Sequence, residues 1–176
     1  MNAICDASGR PHWKAEAFDH SGDRAILAAA VRGEIVGMAK THFHGEPDAD
    51  VPAGHFLGGI EVAPDFRRRG IGSALTRARM DWIWARATSV FYFANEHNTA
   101  SIAMHEALGF RPVGRFPSIH GVTADDGRSG LILFAASRRG IEAGRPGDTF
   151  TAVRLPDAWW QHVPQGWVPS SARGRR

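Results

Sequence analysis

The period of apolar and polar positions changes several times along this chain, and each change marks a predicted element. Ala25 to Val31 is an apolar run ending at Arg32-Gly33-Glu34, and a second run, Ile35 to Phe43, follows at once. Two such runs about a glycine-containing turn predict a β-hairpin, although alanine is a weak strand former. His44 to Gly54 carries Gly, Pro and three acids and predicts a loop. His55 to Val62 predicts a strand that stops before Pro64. A helix over Ile71 to Ala87 follows, with Ile71, Leu75, Ala78, Trp82 and Ala85 at helical spacing. Arg68, Arg77, Arg79 and Arg86 supply its polar positions. Ser89 to Ala94 predicts a buried strand. Asn98 is a suitable N-cap for a helix from Thr99 to Leu108, which Gly109 terminates. Phe110 to Phe116 reads as a strand interrupted by Pro112, and Gly130 to Ala135 as the last strand. Residues 1–24 are polar and rich in turn formers and predict no element.

This order predicts an α/β fold. It is a single mixed sheet flanked by helices, with a parallel crossover from strand 55–62 through the helix to strand 89–94. The predicted organisation is a polar N-terminal segment (1–24), one domain (25–136) and a C-terminal extension (137–176). The extension is rich in Gly, Pro and Arg. Its Trp159, Trp160 and Trp167 predict partial docking on the domain, with a disordered tail.

Composition narrows the function classes. The chain has 176 residues, 43% of them hydrophobic and 22% charged, which suits one folded domain. The formal net charge is +3, from 21 basic and 18 acidic residues. Without Arg173, Arg175 and Arg176 the counts are 18 and 18. A nucleic-acid binder needs a basic face on its folded part, so no nucleic-acid partner is expected. One cysteine, Cys5, allows no intramolecular disulfide and suits a reducing compartment. No signal peptide is evident in residues 1–10, and no apolar stretch approaches the ~20 residues that cross a bilayer. The expectation is a soluble, cytoplasmic protein with no membrane partner.

The densest chemistry lies in Val62-Ala63-Pro64-Asp65-Phe66-Arg67-Arg68-Arg69-Gly70-Ile71-Gly72-Ser73. A strand ends, a basic loop follows, and a helix begins at a glycine pair. Successive backbone N–H groups in such a turn form an anion-binding concavity, and the helix N-terminus adds partial positive charge. A pyrophosphate suits the site. A Walker A loop is excluded, because no Gly-Lys-Ser/Thr run exists. A dinucleotide fingerprint is excluded too, because Leu75 stands where its third glycine belongs. The plain alternative is an ordinary basic helix start.

This stretch resembles the acetyl-CoA-binding motif of the GCN5-related N-acetyltransferases, Arg/Gln-x-x-Gly-x-Gly/Ala, here Arg67 to Gly72. A second stretch, Asn98-Thr99-Ala100-Ser101-Ile102-Ala103-Met104-His105-Glu106-Ala107-Leu108-Gly109-Phe110, resembles the family's second motif. It looks closest to the branch that includes the phosphinothricin acetyltransferases. The two motifs stand in the family's order, and the resemblance covers roughly residues 25 to 135. It implies the acyl-CoA N-acyltransferase fold and acetyl-CoA as co-substrate, with no metal. Cofactor contacts are implied from Ile60, Val62, Arg67, Arg68, Arg69, Gly70, Ile71, Gly72, Ser73, Asn98 and Ser101. The backbone of Arg68 to Ser73 would wrap the pyrophosphate, and that of Val62 would meet the pantetheine arm and acetyl carbonyl.

Two residues are candidates for catalysis. Glu61, on the strand before the turn, could take a proton from the acceptor amine; the alternative is a solvent-facing or salt-bridged glutamate. His105 stands where many members place a tyrosine that protonates the leaving thiolate. It could do the same, or only pack beside Met104 and Leu108. Glu96 and His97 are weaker candidates. His42, His44 and His55 could in principle hold a metal, but no carboxylate or cysteine is positioned to complete the site. Trp82 and Trp84 read as packing residues, and Cys5 as too remote from both motifs to carry an acyl group.

The implied activity is transfer of an acetyl group from acetyl-CoA to a primary amine of a small molecule, by direct attack. A protein N-terminus or lysine is the alternative acceptor, and a non-catalytic acyl-CoA-binding module the alternative class. The family has a strand and two helices before the hairpin, where only 24 residues stand here. Residues 141–168, a partner subunit as in a homodimer, or an upstream start would fill that gap.

Overall fold

The computed structural model describes residues 2–13 and 23–138. The predicted C-terminal extension, with its three tryptophans and basic tail, lies outside the described residues. The principal strands form a six-stranded mixed sheet in the order β1-β2-β3-β4-β8-β5, flanked by helices. The strands are β1 (Ile26–Val31), β2 (Glu34–His44), β3 (Gly54–Val62), β4 (Ser89–Asn95), β5 (Arg111–Phe116) and β8 (Leu131–Ser137). A small separate hairpin joins β6 (Ser118–Ile119) to β7 (Val122–Thr123). The helices are α1 (Asn2–Ala7), α2 (Ile71–Trp84) and α3 (Thr99–Glu106). The α/β fold and the single mixed sheet are as the sequence predicts. The described residues divide into two compact units, those up to Phe43 with His55–Arg86, and His44–Gly54 with those from Ala87 onward.

In the first unit β1 and β2 pair antiparallel from Ile26↔Lys40 to Val31↔Glu34. Arg32 and Gly33 both have positive φ, 53° and 83°, as a two-residue hairpin turn matched to strand twist requires. Val36, Met38, Phe56, Leu57, Leu75, Met80 and Ile83 are buried here. Helix α2 exists as expected but presents a different face. Its buried residues are Leu75, Thr76, Arg79, Met80 and Ile83, whereas Ala78 and Ala85 are exposed. Arg79, read from the sequence as polar surface, is fully buried. Its guanidinium donates to the carbonyls of Lys40 (3.2 Å) and Gly58 (2.9 Å) and to Thr76 Oγ1 (2.9 Å). Buried charge is tolerated only with such partners, and periodicity alone does not reveal them.

The N-terminal stretch also differs from expectation. Asn2–Ala7 is helical, and Ile4 and Cys5 are buried. Gly9 has φ 62°, and the N–H of Arg10 donates to the carbonyl of Cys5. A left-handed residue ends the helix in this way. Two buried side chains thus anchor a segment too short to show a helical period.

In the second unit β8 pairs antiparallel with both β4 and β5. It is buried from Leu131 to Ala136, the pattern of a strand covered on both faces. The register shifts between Pro112 and Gly114, because proline cannot donate to the ladder. Asn98 caps α3, its side chain accepting from the Ser101 N–H at 3.2 Å. Gly109, at φ 92°, ends the helical turn as predicted.

Candidate functional site

The phosphate-type turn is built from β3, a short 3-10 turn at Pro64–Phe66, and the start of α2. Pro64 ends the strand because it has no N–H to give. Arg67 Nε donates to the carbonyl of Val62 at 3.0 Å and its Nη2 to Ser8 Oγ at 2.9 Å. Its guanidinium therefore closes the loop onto the end of the strand.

Beyond Arg67 the backbone twice enters the left-handed region, at Arg68 (φ 62°) and Gly70 (φ 81°). For arginine that conformation is uncommon, and such outliers concentrate at ligand-holding sites. Left-handed residues are a component of the backbone turns whose N–H groups form anion-binding concavities.

Gly70 is the N-cap of α2, with no side-chain cap and no acidic residue in the first turn. The first N–H groups of a helix have no intrahelical acceptor. Here no side chain of the cap satisfies them. Arg67, Arg68, Arg69 and Gly70 are exposed, and Ile71, Gly72 and Ser73 half-buried. Arg69 lies over the Phe66 ring at 5.3 Å. These features fit an anion with several oxygens, such as a pyrophosphate.

Ile60, Glu61 and Val62 are half-buried on β3. Burial pushes the Glu61 carboxyl above its ordinary value, against the opposing pull of Arg10 and Arg67. Arg10 Nε lies 3.9 Å from Glu61 Oε1. Sequence reasoning passed over Arg10, Ser8, Trp13 and Lys40. Trp13 would meet a side chain at Gly59 at 3.5 Å, and Lys40 Nζ stands 4.8 Å from the Trp13 ring centroid. These contacts join residues far apart in the chain, so no local pattern signals them.

In the second unit the structure brings Asn98, Ser101 and His105 onto one helix and adds Tyr92. The Tyr92 hydroxyl and Ser101 Oγ are 2.7 Å apart. The His105 ring stacks on Tyr92, centroids 3.6 Å apart and planes within 8°, and meets the Phe110 edge at 5.3 Å. His105 is buried. Its Nδ1 lies 2.8 Å from the Ser101 carbonyl, which can only accept, so Nδ1 carries the proton. Tyr92, the single tyrosine of the chain, was the missed signal here. Glu61 belongs to the first unit and His105 to the second.

Glu96 is engaged in structure. It pairs bidentately with Arg115 (2.9 and 2.7 Å) and accepts from the Gly130 N–H (2.8 Å). Those bonds pull its carboxyl down to about 2. His97 is exposed.

Two of the three metal candidates, His44 and His55, pack against aromatic rings. His55 is buried and packs against Phe43 and Trp82, and burial lowers its pKa. His44 stacks on His120 at 3.7 Å. Among the described residues no three metal-ligating side chains gather. No helix of the described residues is long and apolar enough to cross a membrane.

The mixed six-stranded sheet with its flanking helices is the acyl-CoA N-acyltransferase fold. The family model of the acetyltransferase (GNAT) family matches residues 4–110, and the chain belongs to that family. It is 31% identical over 98 residues to a mycothiol acetyltransferase of Renibacterium salmoninarum, covering 53% of this chain and 27% of that one. It is 37% identical over 94 residues to an aminoglycoside N(6')-acetyltransferase type 1 of Acinetobacter baumannii, covering 52% and 56%. The match thus spans about half or less of these relatives' lengths. A Bacillus anthracis protein described as a candidate streptothricin acetyltransferase was solved in complex with acetyl coenzyme A. It superposes with a TM-score of 0.56 at 16% identity, over 72% of this chain and 69% of that one.

Proposed function

We propose that this chain is an acetyl-CoA-dependent N-acetyltransferase that acetylates a primary amine of a small molecule by direct attack. The observation that carries the reading is the turn from Val62 to Ser73. Arg67 closes it, Arg68 and Gly70 are left-handed, and α2 begins without a side-chain cap. The backbone from Arg68 to Ser73, with Arg68 and Arg69, would hold the pyrophosphate. Ile60 and Val62 would border the pantetheine arm. Asn98 and Ser101, at the start of α3, are the cofactor-side residues of the second motif. Bound acetyl-CoA supplies an acetyl group activated as a thioester.

Glu61 is the proposed base. An ammonium cannot attack, so a carboxylate must first take its proton, directly or through water. Burial makes Glu61 a stronger base than an exposed glutamate. The N–H groups near Val62 are the proposed donors to the acetyl oxygen. His105 suits packing better than proton donation. With Nδ1–H on the Ser101 carbonyl, Nε2 of the neutral ring can only accept. Donation from Nε2 would require a charged ring in a buried, Tyr92-stacked position. A small-molecule acceptor is supported by the two relatives, which are named for small molecules.

Calorimetry with acetyl-CoA tests the reading, comparing wild type with Gly72→Trp and Glu61→Gln. Wild type and Glu61→Gln should bind alike, and Gly72→Trp should not bind. In a thiol-release assay over a panel of amines, Glu61→Gln should then lose ~100-fold or more in turnover. A folded wild-type protein that fails to bind acetyl-CoA refutes the proposal.

A further inference from the structure

The N-terminal segment lies outside both family motifs, yet it reaches the candidate site. Helix α1 ends at Ala7, and left-handed Gly9 with the bond from the Arg10 N–H to the Cys5 carbonyl turns the chain there. Ser8 Oγ accepts from Arg67, fastening this reversal to the phosphate-type turn. His12 Nε2 meets Asp6 Oδ1 at 2.6 Å, holding the outgoing strand of the reversal against α1. Trp13 then lies against Gly59 and Lys40. Three separate ties therefore fix the stretch from Ser8 to Trp13. Within it the Arg10 guanidinium comes 3.9 Å from the Glu61 carboxylate. The Arg10 side chain is 58% exposed and that of Glu61 17%.

We propose that Arg10 is a positioning residue of the acetyl-transfer site, orienting the Glu61 carboxylate and keeping it ionised so that it can accept the proton of the incoming ammonium. The inference rests on the reading of Glu61 as the base. The separation of 3.9 Å is longer than a hydrogen bond, so Arg10 acts mainly through its charge. A clamped bidentate pair would tie up the carboxylate oxygens that a base needs, and at 3.9 Å Arg10 makes no such clamp. Two cations act on Glu61: Arg10 from the N-terminal segment and Arg67 from the turn, with burial opposing both. Arg67 is already committed to Val62 and Ser8, so Arg10 is the adjustable partner. Lys40 of β2 stands beside Gly59 with the Trp13 ring, on the same stretch of β3.

Proton movement in this scheme is simple. The ammonium N–H bond breaks and its proton goes to Glu61. The nitrogen lone pair so freed forms the new C–N bond to the acetyl carbon, the C–S electron pair leaves with the thioester sulfur, and the second proton, shed by the now cationic nitrogen as the amide forms, balances the proton that the thiolate takes up.

The test compares wild type, Arg10→Gln and Arg10→Lys. Saturating acetyl-CoA is used, and amine kcat/KM is followed along its acidic limb. Loss of one exposed charge at this distance should move the limb upward by about half a pH unit to one unit. Arg10→Lys should restore most of it, and KM for acetyl-CoA should not change. A limb that stays in place in Arg10→Gln overturns the proposal. Carbon-13 NMR titration of the Glu61 carboxyl, assigned by its loss in Glu61→Gln, reads the same coupling without turnover. A wild type with no amine turnover therefore counts against the transferase reading alone. An unmoved Glu61 midpoint counts against Arg10 alone.

Discussion

Replacing Arg79 tests the packing of the first unit most severely. The side chain is fully buried and makes three donations, to the Lys40 and Gly58 carbonyls and to Thr76 Oγ1. Hydrogen bonds from a charged donor contribute about 1.5 kcal/mol or more each, and truncation leaves buried acceptors unsatisfied. Arg79→Ala should therefore cost about 3–5 kcal/mol, the range for breaking a buried charged network. That corresponds to a fall in Tm of roughly 10 °C or more for a chain of this size. Arg79→Lys should recover little, because one ammonium cannot reproduce a planar fork aimed at two carbonyls and a hydroxyl. Urea unfolding with an unchanged m value is the assay. A loss below ~1 kcal/mol in Arg79→Ala would show that water replaces the guanidinium at no cost, and the argument for a structural arginine would fail.

The remaining expectations concern single interactions. Glu96, held near 2 by Arg115 and Gly130, stabilises the folded state fully above its unfolded value of 4.5. That contribution fades as pH falls toward 2. The full shift would be worth ~3 kcal/mol, but the Arg115 and Glu96 side chains are 44% and 27% exposed, which reduces the expectation to ~1 kcal/mol. Glu96→Gln should thus cost ~1 kcal/mol at neutral pH and almost nothing near pH 2, read by denaturant melts at both. A loss independent of pH would count against the pair. Gly70 has φ 81°, and no atom lies within 4 Å of where an added methyl would sit. Gly70→Ala should therefore cost about 1 kcal/mol through backbone strain alone. Gly70→Asn should cost less, and equal losses in thermal melts would contradict that cause.

Much of the fold was legible because its signals are local. The hairpin over β1 and β2 follows from two apolar runs about Arg32-Gly33. The strand-to-helix turn follows from Pro64 and the Gly70–Gly72 pair. Asn98 and Gly109 mark the two ends of α3, and the two motifs together disclosed the family. The face of α2 was not legible, because Arg79 has the chemistry of a surface residue and becomes core only when two carbonyls from separate strands converge on it. Helix α1 was hidden because one turn and a half carries no period, and burial of Ile4 and Cys5 decides it. Tertiary structure alone placed Arg10 beside Glu61, fastened Ser8 to Arg67, set His105 against Tyr92 and committed Glu96 to Arg115. Each joins residues that sequence spacing does not relate. Local conformational preference is written residue by residue, whereas burial and charge pairing depend on which distant segments share a surface.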